Sequence, residues 1–178
     1  MANRVTVLPF WNINLSVDYQ WNKLNANLTD FPYPRRNTTL VAAATSLHFD
    51  RFKFQASVLG TFVHENVASD TTSAGNKMEF TPTAIASYKP FKNIDFNLRA
   101  FYKRIFRMPT LNDLYYTFIG NIKLKPEYTN QYNIGFTYQK LFTGTWLQAL
   151  NVQLDAYYNE VENKIIATPT NNFFRWTM

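Results

Sequence analysis

Seven stretches of this 178-residue sequence alternate with a period of two, and in every one of them the apolar set carries no charge. The first, WNINLSVDYQW at 11–21, sets Trp11, Ile13, Leu15, Val17, Tyr19 and Trp21 against Asn12, Asn14, Ser16, Asp18 and Gln20. The same holds for odd positions of 41–49 and for even positions of 52–62, 80–88, 94–102, 132–138 and 150–158. In the whole set only Thr45, Gly60 and Pro82 are not ordinary hydrophobes. The opposite set holds Asn14, Asp18, Lys53, Gln55, Asp95, Arg99, Asn133 and Asp155. Side chains in a strand point alternately to two faces, so each stretch reads as a strand with one apolar and one polar face. No segment shows an apolar repeat of helical period. The chain is therefore predicted to be all-β, with seven strands and an eighth starting at Phe173.

The connections alternate in length. Long ones cover 22–40, 63–79 and 103–131, and short ones cover 50–51, 89–93 and 139–149. Long loops gathered at one end predict antiparallel strands in an up-and-down barrel. Strands in ordinary domains run to about 5–6 residues. A strand of about 11 residues at ~3.3 Å each, tilted near 45°, rises about 26 Å, the apolar height of an outer-membrane barrel.

Aromatics make up 17% of the chain, with 16 Phe and 11 Tyr, and on the apolar set they sort by height. Trp11, Phe49, Phe52, Phe54, Tyr88 and Tyr138 lie toward the short turns. Tyr19, Trp21, Phe62, Phe80, Tyr102, Tyr132 and Tyr158 lie toward the long loops. Mostly smaller aliphatics such as Leu15, Ala43, Val58, Ala84, Leu98 and Leu154 lie between, with Phe96 and Phe136 as exceptions. Two aromatic girdles around an aliphatic belt are what the two lipid–water interfaces select. The apolar face is expected to meet lipid and the polar face to line a lumen. A soluble ligand-binding barrel, with its polar face outward, has no reason to sort aromatics by height. Pro82 is awkward in a ladder unless its missing N–H falls near a rim.

Other classes find little support. The net charge is +6 and the pI about 9.5, but the basic residues form no continuous patch or recognisable module, so nucleic acid is not an expected partner. Without cysteine there is no disulfide framework or thiolate chemistry. No stretch reaches the roughly 18 apolar residues of a membrane-spanning helix. The opening MANRVTVLPFW does not read as a signal peptide, and its early strand pattern suggests a piece of something longer. His48 and His64 lie near opposite strand ends and make no metal pair. No nucleophile–base set or phosphate loop is present, so neither enzyme chemistry nor a cofactor is expected.

The connection FRMPTLNDLYYTFIGNIKLKPEYTNQYNIG, 106–135, is the most specific stretch. It resembles the late barrel region of TonB-dependent outer-membrane receptors, whose pattern runs R-x-P-x-L-x-x-L-Y, then G-N-P-x-L-x-P-E, then a strand. Arg107, Pro109, Leu111, Leu114, Tyr115, Gly120, Asn121, Leu124, Pro126 and Glu127 match in order and spacing. Ile122 stands where the family often has proline, and Asn133 where a glutamate is common. DAYYNEVENKIIATPT at 155–170 is similar to the following strand and loop, and NNFFRWTM would enter the next strand. The whole stretch resembles receptors of the Bacteroides group. Physically the motif shapes a loop: Pro109 ends a ladder, Gly120-Asn121 supplies a turn tolerant of positive φ, and Leu111, Leu114 and Tyr115 pack.

The resemblance implies that residues 1–178 are one partial β-barrel domain, seven or eight strands of a probable 22. Plug, signal peptide and closing C-terminal strand are expected to lie elsewhere. It further implies a Gram-negative outer-membrane location and a parent that takes up a scarce ligand (ferric siderophore, haem or cobalamin), driven by the TonB complex through the plug. Expected partners are lipid and lipopolysaccharide, with Arg35, Arg36, Arg104, Lys123 and Lys125 as candidate contacts for ligand or lipopolysaccharide anions. The other reading is an autonomous eight-stranded barrel serving as an adhesin or structural protein.

Overall fold

The structure, a computed structural model, describes residues 2–29, 31–68, 73–116, 119–143, 146, 148–169 and 174–178. Its main element is one antiparallel sheet of eight strands in sequence order: β1 (Ala2–Leu8), β2 (Trp11–Lys23), β3 (Arg35–His48), β4 (Phe52–Asn66), β5 (Lys77–Tyr88), β6 (Asp95–Arg107), β7 (Glu127–Leu141) and β8 (Ala149–Glu162). A short helix, α1 (Leu111–Tyr115), lies between β6 and β7. A separate hairpin, β9 (Ile166–Pro169) and β10 (Phe174–Thr177), follows β8. Among the described residues β1 pairs only with β2 and β8 only with β7, so the sheet is open at both edges.

Register assigns the faces. Directly paired residues share a face, and the pairs Leu15↔Ala43, Ala43↔Val58, Val58↔Pro82, Ala84↔Tyr102, Leu98↔Phe136 and Phe136↔Leu154 carry the apolar set unbroken from β2 to β8. The sheet is thus apolar on one side, with Leu15, Val17, Tyr19, Trp21, Phe80, Ile134 and Leu154 all more than half exposed. No core covers that face. The buried core lies beyond the long-loop end of the strands.

The outer aromatics follow the hydrogen-bond rows over part of the sheet and leave them between β4 and β6. Tyr19 and Phe62 share a row through Thr39, but Phe80 pairs with Gly60 rather than Phe62, and Tyr102 pairs with Ala84 rather than Phe80. The outer level therefore slides about six residues over the four steps from β2 to β6. Tyr102, Tyr132 and Tyr158 then share one row, so the slide over all six steps to β8 stays near six residues, against about eight for strands ~4.8 Å apart and tilted near 45°. The slide has the sense expected of tilted strands and is concentrated between β4 and β6.

Several expectations need correction. The strands run past the limits read from alternation, chiefly at the long-loop end, where β3, β4, β6 and β7 extend into polar sequence. The long connections accordingly shrink to 24–34, 67–76 and 108–126. β1 is a further strand, absent from the seven expected, and its Val5 pairs with Ile13. Phe173 falls outside the described residues. Phe174–Thr177 pairs with β9 in the hairpin rather than continuing the wall.

Candidate functional site: a loop cap on the wall

The matched motif builds a small folded cap. Pro109, fully buried, follows β6, and Thr110 caps α1: its hydroxyl accepts from the Asp113 N–H (3.1 Å) while the Asp113 carboxylate accepts from the Thr110 N–H (2.9 Å). The helix presents Leu111, Leu114 and Tyr115 to Leu124 and Ile165. Leu24, Val67, Ala74, Ile122 and Trp176 close around this cluster, so three long loops and the β9–β10 hairpin share one core. Gly120 N–H donates to Tyr116 C=O (2.7 Å) and Asn121 N–H to Asp113 C=O (2.7 Å), folding the chain back onto α1. Asn121 also donates through Nδ2 to Trp176 C=O (3.0 Å).

Gly120 is needed for space rather than for positive φ, which the described residues show only at Tyr33, Gly75 and Asn163. A Cβ at Gly120 would lie 2.7 Å from Tyr116 O and 2.8 Å from Leu114 O. Gly120→Ala is expected to loosen the cap by about 1–3 kcal/mol, read as faster proteolysis of 108–126 with the barrel intact. Arg107 and Glu127 are strand ends rather than loop residues. They face one another across β6 and β7 at 3.8 Å, and Glu127 also accepts from the Ile165 N–H (3.1 Å). Pro126 is buried, and its carbonyl accepts from Asn163 Nδ2 (3.3 Å).

A buried polar network fastens the cap to the wall. Arg36 of β3 donates from Nε (2.8 Å) and Nη2 (2.6 Å) to Glu65 Oε2 of β4, and from Nη1 to Pro109 C=O (2.6 Å). The Tyr115 hydroxyl donates to Glu65 Oε1 and accepts from the Ala74 N–H (3.0 Å). The Glu65 side chain is fully buried and that of Arg36 is 8% exposed. Burial, and then the hydrogen bond to Glu65, push the Tyr115 phenol up to about 12. A folded-state value raised above the usual 10 means that the stability Tyr115 contributes is complete below pH 10 and lost as pH climbs toward 12. The ultraviolet phenolate signal that Tyr115→Phe removes is therefore expected to titrate near pH 12.

The candidate anion contacts divide. Arg35 and Arg36 belong to β3 rather than a loop, and the Arg36 guanidinium is buried against Glu65 and Pro109 C=O, which leaves little of it to meet an outside anion. Arg35 is exposed and shares the parity of the apolar face. Arg104 lies 5.0 Å over the Tyr128 ring. Lys123 and Lys125 are exposed in the loop. Lys123 lines an open cavity of about 530 Å³ together with Tyr116, Asn121 and Arg175.

The aromatic candidates lie on the apolar face. Tyr132 stands between Tyr102 (ring centroids 5.1 Å apart) and Tyr158 (6.2 Å), Phe62 meets Phe80 edge-on at 6.0 Å, and Phe52 stacks with Phe54 at 6.3 Å and pairs with Tyr88. Tyr138 pairs with Phe96. Trp11 donates to the Thr45 hydroxyl (2.8 Å), Tyr19 to Asn37 Oδ1 (2.8 Å), and Trp21 is exposed.

On the polar face Arg99 reaches Asp155 (3.0 Å) across Gly135, their common neighbour in register. A Cβ at Gly135 would lie 2.1 Å from Asp155 Oδ1 and 2.7 Å from Leu154 O. Gly135→Ala is expected to displace Asp155 and lower stability by about 1–3 kcal/mol, mostly through overlap with the Leu154 carbonyl, because a solvent-screened ion pair contributes little. A urea unfolding midpoint reads this directly.

The comparisons agree with this geometry. The sequence matches the family described as TonB dependent receptor-like, beta-barrel, over residues 2–177. It is 26% identical over 178 residues to the Vitamin B12 transporter BtuB of Vibrio vulnificus (strain YJ016), covering 98% of this chain and 26% of that protein. The chain thus spans about a quarter of the length of this curated relative. Its fold superposes with a TM-score of 0.73 on the Serratia marcescens hemophore receptor HasR, solved as a double mutant with its hemophore HasA and heme. Identity there is 12%, with coverage of 99% of this chain and 35% of HasR. Neither match points to the Bacteroides group in particular. The family, TonB-dependent receptor β-barrels, is one of receptors and transporters of the Gram-negative outer membrane, and this chain belongs to it.

Proposed function

We propose that residues 1–178 form part of the wall of an outer-membrane transporter that takes up a scarce ligand, of the kind of cobalamin, haem or a ferric siderophore, with energy delivered by TonB. The carrying observation is the uncharged face that the register keeps continuous from β2 to β8, on a chain whose family match runs from residue 2 to 177. Such a face is stable only against lipid or a covering partner. The open edges β1 and β8 are the seams at which further wall strands join. They also weigh against a self-contained eight-stranded adhesin, whose first and last strands pair with each other.

In this reading the apolar face meets lipid, the two aromatic levels sit at the headgroups, and the wall has no catalytic role. Arg35 and Arg104, near the outer rim, meet lipopolysaccharide phosphates. Lys123 and Lys125 stand where an anionic ligand arrives. Deleting the gene in its source organism and following labelled cyanocobalamin, haemin and ferric siderophores tests the proposal. Loss of one uptake, equalled by loss of TonB, is expected. Unchanged uptake of all three would remove the transport reading.

A further inference from the structure

We propose that the wall is split in its outer half by a hinged seam between β5 and β6, closed by side chains alone. The β6–β7 ribbon and its cap loop can then swing from β5 without breaking a backbone ladder.

The register locates the hinge. The β4–β5 ladder runs straight through Val58↔Pro82 and on to Val63↔Lys77. The β5–β6 ladder runs from Tyr88↔Leu98 to Thr83↔Lys103 and stops there, one residue short of Pro82. A strand residue aims its N–H and C=O to the same side, and proline has no N–H. Because pairing to β4 survives at Pro82, the missing donor is the one that faced β6. Above it β6 continues to Arg107, but paired only with β7, as in Arg107↔Glu127. Among the described residues 77–82 and 104–107 share no ladder.

The height of the hinge fits a membrane wall. Phe80 and Tyr102 of the outer aromatic level lie beside it, and the complete pairs 83–88 with 98–103 lie on the membrane side. Hydrocarbon demands a closed ladder there, whereas headgroups and water tolerate an open one. The split therefore opens only where the backbone can be solvated.

Side chains bridge the gap at two levels. Tyr128 of β7 reaches past β6 and donates to Glu79 Oε1 of β5 at 2.5 Å, with the Arg104 guanidinium over its ring. Higher up, Tyr115 donates to Glu65, and Arg36 donates to Pro109 C=O at 2.6 Å. Both levels join a β6–β7 group to one on β3 or β4–β5. Positions 79 and 128 have opposite parity in the sheet, so the β6–β7 ribbon has turned relative to β5 above Pro82. A continuous ladder forbids that turn.

Amide hydrogen exchange of the whole protein in lipid nanodiscs tests the seam. In the wild type, seam-facing amides of 77–81 and 104–107 are expected to exchange faster than those of 83–88 and 98–103. Tyr128→Phe is expected to speed exchange over 104–116 by roughly five- to tenfold and to leave 83–103 unchanged. Pro82→Val restores the donor and is expected to slow exchange on the β6 side. Equal protection above and below Pro82 in the wild type overturns the proposal. So does a Tyr128→Phe effect that is absent or spread evenly over β5–β8. Should that variant fail to assemble, the wild-type profile and Pro82→Val still decide.

Discussion

Replacing Arg36 with methionine is expected to raise the free energy of the capped state by about 3–5 kcal/mol. Arg36 supplies both charge-assisted hydrogen bonds to Glu65 Oε2 and the one to Pro109 C=O. Without it the carboxylate stays at full burial, left among the described residues with the Tyr115 hydroxyl and the Ala74 N–H (3.4 Å). A buried charge stripped of its partner loses far more than the pair contributes, because its desolvation is no longer offset. The cap, not the sheet, should register the loss. Hydrogen exchange over 108–126 is expected to rise steeply while that of 83–103 is held. Arg36→Met with Glu65→Met removes both charges and should recover much of the loss. A double variant as unstable as the single one would show that the pair is not what fastens the cap.

Leu98→Arg is expected to cost about 2–4 kcal/mol in the assembled protein. Leu98 lies between the Tyr102–Tyr132–Tyr158 row and the Phe96–Tyr138 pair, with Phe136 and then Leu154 beside it. With the apolar face against lipid, as proposed, a guanidinium there loses most of its hydration. Asn97, one residue away, takes a hydrogen bond from Ser87 (2.9 Å) on the polar face. Asn97→Arg should cost under about 1 kcal/mol, as substitutions at solvated sites do. Folding yield and urea midpoint in lipid vesicles separate the two variants.

On the proposed lipid-facing reading, the bilayer decides which strands are legible in the sequence. Between the two aromatic levels one face must stay apolar, so β2, β4 and β8 could be read from alternation alone. Above the outer level both faces of a strand meet water or loops. Alternation lapses there, so Arg35–Leu40 and Lys103–Arg107 carry no strand signal although they are paired strand. In β1 the alternation is too short and too close to Pro9 to stand out. The motif at 107–127 was legible as a loop-shaping element, and Leu111, Leu114 and Tyr115 do pack together. A capping box from Thr110 to Asp113 was the unread signal for α1.

The network under the cap left no local trace. Glu65 lies 29 residues from Arg36 and 50 from Tyr115. Only the fold brings them together, so a chain position that looked like a basic loop pair proved to hold one exposed and one buried arginine. The seam was half visible, since Pro82 stood out as a ladder problem. Which neighbour lost its bond required the register.

A nitroxide scan along β6 tests the central claim most directly, namely that the uncharged face meets lipid. Labels at 96–101 in the whole protein, reconstituted in lipid, would be challenged with dissolved oxygen and with a water-soluble nickel chelate. The account predicts oxygen-dominated relaxation at 96, 98 and 100 and chelate-dominated relaxation at 97, 99 and 101. The reverse parity, or no alternation, would contradict it.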